Sequence, residues 1–300
     1  MVDGVEAKLR AAAFAYLDRL RQLNPDGALR SAEVNQFSFD GSPMRLIVQT
    51  GIWKPAGLAA ALSIRTTYTP PDQPPPYEDD LGLDGYVRYK YRGTDPNHSD
   101  NRALREAFAG HTPLIYFVGI EKGAYSAHYP VWIVGEDRTR LEFTVAVDEA
   151  QRPFGTVDLV WPNKAYALRL TQQRLHQPVF RTRVLRAYND TCAICRLKHA
   201  ELLDAAHILP DSHAKGDPVV PNGLALCKIH HAAYDRNIVG IRPDLVVEIQ
   251  PKVLAEVDGP MLRHGLQEMA GARITIPRAT HARPDPERLE ERYAEFRATA

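Results

Sequence analysis

The sequence is poor in cysteine, with three in 300 residues, and all three fall between positions 192 and 227. Scattered pairs that would staple a small extracellular fold are therefore missing, and the clustering is that of a metal site in a reducing compartment. Surplus charge is also absent, since 37 Lys and Arg face 37 Asp and Glu. No global field draws the chain to a polyanion or a membrane surface, so any affinity for nucleic acid has to be local. No window approaches the ~20 uninterrupted apolar residues of a membrane span. The N-terminal segment MVDGVEAKLRAAAFAYLDRL lacks the basic start and unbroken apolar run of a secretory signal and reads as an amphipathic helix. A soluble, cytoplasmic chain without membrane contact is the expectation.

What is there suggests two domains, because 300 residues with 44% hydrophobic content exceed one ordinary core. A helix is expected over about Val5–Leu23, strand-like alternation over Gln36–Thr50, a turn at WKPAGL, and a short helix or strand in AALSIRTTY. Residues 69–85, TPPDQPPPYEDDLGLDG, concentrate proline and acid and read as a long surface loop. Beyond them YVRYKYRG (86–93) is strand-like, and DNRALREAFAG (100–110) is a helix with Asp100 as N-cap and Gly110 as its stop. PLIYFVGI (113–120) reads as a buried strand, and YPVWIVG and LEFTVAV add two more. Together these make an α+β unit around a curved, mostly antiparallel sheet over residues 1–160.

Between Asn163 and Arg196 the cations Lys164, Arg169, Arg174, Arg181, Arg183, Arg186 and Arg196 face a single acid, Asp190. Residues 161–186 are read as a basic helical linker. Either it is a solvated connector, or Arg174, Arg181, Arg183 and Arg186 approach nucleic-acid phosphates. DPERLEERYAEF near the C-terminus reads as a capped helix that packs back on the body.

Cys192-Ala-Ile-Cys195 and Cys227-Lys-Ile-His230 are two short chelating pairs. Each pair fixes two corners of a tetrahedron, which is what a structural Zn²⁺ needs, and the binding energy of such a site is folding energy for the module around it. A redox role for the C-x-x-C lacks the βαβ surroundings that such motifs have.

Between and after these pairs lie residues suited to hydrolysis. LLDAAHILP reads as a strand carrying His207, PNG as a turn presenting Asn222, and CKIHHAAYD as the opening of a helix with His231 and, four residues on, Asp235. Cleaving a phosphodiester needs a base for water, a cation for the developing charge, and a group that orients the base. His207 suits the base, Asn222 the holder of its imidazole or backbone, and His231 the ligand of a divalent ion. Asp235 and Asp204 are the carboxylates available to a hard cation such as Mg²⁺ or Mn²⁺.

The pattern C-x2-C…DAAHI…NG-x-x-LC-x2-HH-x3-D resembles the HNH (ββα-metal) endonuclease family, and within it bacterial predicted restriction endonucleases. The lead-in QRLHQPVFRTRVLRAYNDTCAIC is similar too, so the likeness runs over about Leu175–Asn237. It implies that His207 is the general base, Asn222 the middle Asn and His231 the closing, metal-binding His, within a zinc-stabilised domain over 187–300. One departure is Ala206, where many members carry a second metal-binding His or Asp.

More weakly, YRGTDPNHSDNRALREAFAGHTPLIYFVGIEKGAYSAHYPVWIVG resembles SRA and broader PUA-like domains, which recognise modified bases. That likeness implies a flipped nucleotide stacked on Tyr91, Tyr116, Phe117, Tyr125 or Trp132 and read by Arg92, Asp95 and Asp100. For Tyr116, Phe117 and Trp132, packing in the sheet core is the competing reading. The two likenesses together imply a modification-dependent restriction endonuclease acting on double-stranded DNA that carries a modified base, with phosphorothioate or a methylated, hydroxymethylated or glucosylated cytosine as the possible marks, as a homodimer when both strands are cut. Two alternatives stand beside it: a DNA-binding protein whose HNH fold is only a zinc-stabilised clamp, and an HNH nuclease indifferent to base modification.

Overall fold

The computed structural model describes residues 2–68, 80–82, 84–152, 168 and 171–299. The chain divides into two units, Met1–Val179 and Phe180–Ala300. The expected linker 161–186 is partly outside the described residues, Lys164 and Arg169 included; 171–179 fall in the first unit and 180–186 in the second. Among the described residues no helix is long and apolar enough to cross a membrane.

In the first unit, α1 (Val2–Leu23), β1 (Leu29–Arg30), α2 (Ser31–Val34), β2 (Ser38–Phe39), β3 (Ser42–Pro43), β4 (Ile52–Trp53) and β5 (Ser63–Thr66) come first. β6 (Asp80–Leu81), β7 (Val87–Lys90), α3 (Ser99–Ala109), β8 (Leu114–Glu121), β9 (Ala124–Asp137) and β10 (Glu142–Ala146) follow. The main sheet runs β4-β5-β8-β9-β10-β7-β6, with β1 also on β9. Only the β5–β8 pair in it is parallel.

Alternation along β8 explains why helices lie on both faces of this sheet. Ile115 and Phe117 pack with Leu9, Ala13 and Leu17 of α1, three residues spaced four apart on one helix face. Leu114 and Tyr116 point the other way and join Leu104 and Ala107 of α3 and Phe143. Register shifts interrupt the pairing of β9 with both neighbours, and such bulges sharpen twist. The sheet curls into a half-barrel, and the Tyr89 hydroxyl of β7 reaches across to the carbonyls of Arg65 on β5 (3.2 Å) and Gly51 (3.3 Å).

Three local expectations are corrected. Within Gln36–Thr50 only β2 and β3 form, joined by Asp40 and Gly41 in the left-handed region at φ 48° and 75°. The backbone of Leu46 and Ile47 is satisfied instead by Asn35, whose Oδ1 accepts from both amides at 2.9 Å. The cap of α3 is His98, whose Nδ1 accepts from the Asp100 amide at 3.2 Å, while Asp100 turns to Arg92. Of the expected loop 69–85, residues 69–79 and 83 lie outside the described residues, and Asp80–Leu81 form an edge strand on β7.

The second unit is built on a ββα core. α4 (Gln177–Ala187) carries the boundary, and β11 (Leu203–His207), β12 (Gly223–Cys227) and α5 (Lys228–Asp235) follow. β11 and β12 are antiparallel, with His207 opposite Gly223 and Leu203 opposite Cys227. Gly223 lets α4 settle directly on β12, because a Cβ there would lie 2.4 Å from Val184 Cγ2 and 2.9 Å from Phe180 Cζ. The hairpin β13 (Val239–Ile241) and β14 (Val247–Ile249) comes next, then the short helices α6 (Pro251–Leu254) and α7 (Pro260–Gly265), and finally α8 (Pro286–Thr299). α8 opens on Asp285, which accepts from the Glu287 amide at 2.9 Å, and packs back on the unit. Its buried Arg292 donates to Tyr234 O at 2.6 Å and lies over that ring.

Candidate active site and metal centre

Four ligands converge from three places: Cys192 and Cys195 in the turn after α4, Cys227 at the end of β12, and His230 in the first turn of α5. Their ligand atoms all lie within 4.8 Å of one another. Zn–S bonds of about 2.3 Å set at tetrahedral angles put two sulfurs about 3.8 Å apart. Cys195 and Cys227 sulfurs are 3.9 Å apart, and His230 Nδ1 is 3.6 Å from Cys192 Sγ and 3.1 Å from Cys227 Sγ. His230 Nε2 is held by the Gly265 carbonyl at 2.8 Å, which keeps a proton on that nitrogen and turns Nδ1 to the sulfurs. Hydrogen bonds from Cys195 and Cys227 drive Cys192 toward thiolate. Burial disfavours the imidazolium of His230, yet hydrogen bonds to Cys192 and Cys227 outweigh it and carry the pKa to about 9. Three soft sulfurs and one imidazole at these spacings fit Zn²⁺, and the two chelating pairs do come together as their spacing predicts.

Beside this centre, β11 presents His207 and α5 presents His231. The His207 ring stacks on Phe180, with centroids 4.1 Å apart and planes at 20°. Burial lowers its pKa, a positive His231 would lower it further, and Asp211 and Asp235 only partly offset this. A neutral imidazole at neutral pH, able to accept a proton, results. His231 stands between two carboxylates on opposite nitrogens: Nδ1 is 3.7 Å from Asp204 and Nε2 is 3.4 Å from Asp235. Strand and helix thus bring His207, His231, Asp204 and Asp235 into one neighbourhood. Among the described residues, however, only the Cys3His set gathers three or more ligands within mutual reach.

Asn222 is fully buried and bonds the backbone beyond His207, not its ring. Its Oδ1 accepts from Leu209 N at 3.0 Å, and its Nδ2 donates to Leu209 O at 3.0 Å and Asp217 O at 3.1 Å. Ala206, opposite Leu224, is fully buried in the hydrophobic core of the unit, so a charged ligand in its place would have to be buried there. Sequence reasoning missed two neighbours of His207. Phe180 reads as one more apolar helix residue, and Asp211, 2.9 Å from His207 Nε2, sits in a stretch, LPDSH, that reads as a turn.

The model of the HNH endonuclease family matches residues 192–242. This segment is an HNH module. The match takes in both metal-ligand pairs, His207, Asn222, His231 and Asp235. One solved structure, a "Modification dependent TagI restriction endonuclease", is similar at 16% identity over 83% of this chain and 86% of that chain, with a TM-score of 0.30. Among curated proteins none matches.

Near the HNH module, Arg181 on α4 spends its guanidinium within the unit. It donates to Ala200 O and Leu203 O at 2.8 and 2.9 Å and lies 3.6 Å from Asp204. Arg183 and Arg186 are half-buried on the same helix. Arg174 belongs to the first unit, paired with Asp148 at 2.6 Å.

The aromatic and polar candidates of the first unit do not share one place. Tyr91 and Arg92 line a cleft of about 270 Å³ with Arg65, Thr66, Tyr89 and Lys90, where β7 reaches across to β5. Tyr116 lies just behind, its hydroxyl 2.7 Å from Thr66 Oγ1, and Tyr125 accepts from Arg65 Nη1 at 3.0 Å. Phe117 is wholly buried against α1, and Trp132 is covered by the Arg152 guanidinium 4.9 Å from its ring centre. Asp95 caps a turn through the Asn97 amide, and Asp100 pairs with Arg92 at 2.5 Å.

Proposed function

We propose that the protein is a metal-dependent endodeoxyribonuclease that cuts double-stranded DNA near a modified base, with the HNH module as the cutter and the first unit as the reader. The observation that carries the cutting role is the convergence of His207, His231, Asp204 and Asp235 on a ββα frame beside a Cys3His centre. His207, kept neutral by burial, takes the proton of an attacking water. His231 and Asp235 are the pair that would hold a divalent ion, a two-ligand site of the open kind that Mg²⁺ completes with water and substrate oxygens. Asp204, facing the other nitrogen and steadied by Arg181, orients the ring. When bound, such an ion neutralises the charge that develops on the phosphate oxygens. Of the linker cations, Arg174 is paired with Asp148 and Arg181 is held by the carbonyls of Ala200 and Leu203, so neither is proposed as a phosphate contact.

The reading role falls to the cleft of Tyr91 and Arg92, whose eleven lining residues include three cations and no acid. Dependence on modified cytosine and action as a homodimer belong to this same proposal. The test incubates the protein with Mg²⁺ or Mn²⁺ and matched plasmids, unmodified or carrying modified cytosine. Cutting confined to the modified plasmid, lost by about 10²- to 10⁴-fold in His207→Ala with DNA binding retained, is the expected result. Equal cutting of both plasmids defeats the modification dependence. A protein that binds DNA and never cuts it is the zinc-stabilised clamp that the alanine at position 206 favours.

A further inference from the structure

His207 has two ring nitrogens in unlike surroundings. Nε2 is buried and has no aligned hydrogen-bond partner, yet Asp211 Oδ1 lies only 2.9 Å away, off the N–H axis. No hydrogen bond reaches Nδ1 among the described residues, and one face of the ring is closed by Phe180. Buried polar nitrogens nearly always find an acceptor, and a small turn of the half-buried Asp211 side chain supplies one.

The loop that carries Asp211 is fastened at several points, so the carboxylate does not hang from a free turn. Asn222 ties both of its ends, through Leu209 and Asp217. Gly216 lets the chain fold onto Pro210, where a Cβ would sit 2.0 Å from the carbonyl oxygen. Glu291 of α8 pairs with His213 at 2.9 Å and Lys215 at 3.7 Å.

We infer that Asp211 is the positioning residue of His207: its carboxylate accepts from Nε2–H and so leaves the Nδ1 lone pair as the proton acceptor for water. This rests on His207 being the base. A carboxylate behind a histidine fixes the tautomer and steadies the imidazolium that forms, which is how paired Asp and His work in hydrolases. Asn222 then acts at one remove, by holding the loop that holds Asp211.

The experiment uses the full chain with its zinc. Nitrogen-15 spectra of the histidine rings, recorded without Mg²⁺ or Mn²⁺ and assigned by difference from His207→Gln, report the tautomer directly. Wild-type His207 is expected as the Nε2–H form, with Nδ1–H gaining population in Asp211→Ala. Cleavage by Asp211→Ala is expected to fall about 10- to 100-fold in kcat, with KM for DNA and the Mn²⁺ concentration for half-maximal rate unchanged. Asp211→Glu should restore most of the rate, and Asp211→Asn serves if the alanine variant does not fold. An Nδ1–H tautomer in the wild type, an unchanged rate, or a shifted Mn²⁺ midpoint that makes Asp211 a metal ligand each overturns the inference. Because the tautomer is read without turnover, a protein that cuts nothing defeats the nuclease proposal while the pairing of Asp211 with His207 is still decided.

Discussion

The two units solve the problem of holding functional side chains in opposite ways. In Met1–Val179 a large sheet buried on both faces supplies the rigidity, and nearly every aromatic on it is consumed by packing. In Phe180–Ala300 the two-stranded β11–β12 hairpin is too small to be rigid alone, and a Cys3His set that could hold a cation stands where sheet is lacking. Chemistry survives on a small frame only when something other than side-chain packing fixes the backbone. His207 and His231 are both partly exposed on such a frame, whereas Tyr116, Phe117 and Trp132 are sheet residues first.

That contrast breaks most visibly under zinc removal. Stripping the metal with a chelator, or replacing Cys227 by Ser, should unfold the HNH module, since structural zinc sites contribute about 10–16 kcal/mol of apparent binding energy. Hydrogen exchange followed by peptide should lose protection over 192–242 and keep it over β8 and β9. Retained protection in β11 and β12 after the metal is gone would show that the hydrophobic core around Leu203, Leu224 and Leu226 suffices, and the contrast would fail.

The same contrast explains what could be read from the sequence. Metal ligation admits few residue types at fixed spacing, so Cys192, Cys195, Cys227 and His230 were legible as a candidate ligand set without a fold, and His207 and His231 as candidates between and beside them. The main strands of the first unit were legible from short apolar runs, PLIYFVGI for β8 and YPVWIVG for the second half of β9, while the alternation over Gln36–Thr50 misled. Its finer structure was not, because it depends on contacts distant in sequence. Asn35 replaces a strand partner for Leu46 and Ile47, and Tyr89 joins β7 to β5 across the half-barrel. Asp211 and Phe180 escaped for a related reason, since an acid in a turn and a phenylalanine on a helix carry no signal until the hairpin brings His207 between them.

A smaller effect sharpens the comparison from inside the second unit. Gly223 reads as half of an Asn-Gly turn, but its backbone is an ordinary extended one, at φ −126°. What it supplies is space. Gly223→Ala would push a methyl group into Val184 and Phe180, at an expected cost of about 1–3 kcal/mol for overpacking. Because Phe180 also covers His207, the rate of cleavage should fall together with the denaturation midpoint. A variant that loses stability but cuts at the wild-type rate would separate the packing of α4 from the alignment of the base.

The smallest expected effect concerns a histidine that the first unit treats as core. His128 on β9 is buried, its Nδ1–H donates to Arg174 O at 2.9 Å, and its Nε2 has no hydrogen-bond partner. Burial, helped by the nearby charge of Arg21, lowers its pKa to about 3. The unfolded chain binds a proton there near pH 6.5, so between about 6.5 and 3 it holds more protons than the folded one, and stability falls as the pH falls. The slope from this one residue is at most about 1.4 kcal/mol per pH unit, and it levels off once the folded state also titrates. Thermal unfolding of the wild type and of His128→Gln across this range should therefore diverge toward acid, with the variant losing less. Parallel curves would mean that water or the neighbouring chain relieves the buried ring. Divergence would set the two units apart by their histidines: in the sheet the proton is an intruder that the fold excludes, and in the HNH module it is what His207, if the proposed mechanism holds, is there to take.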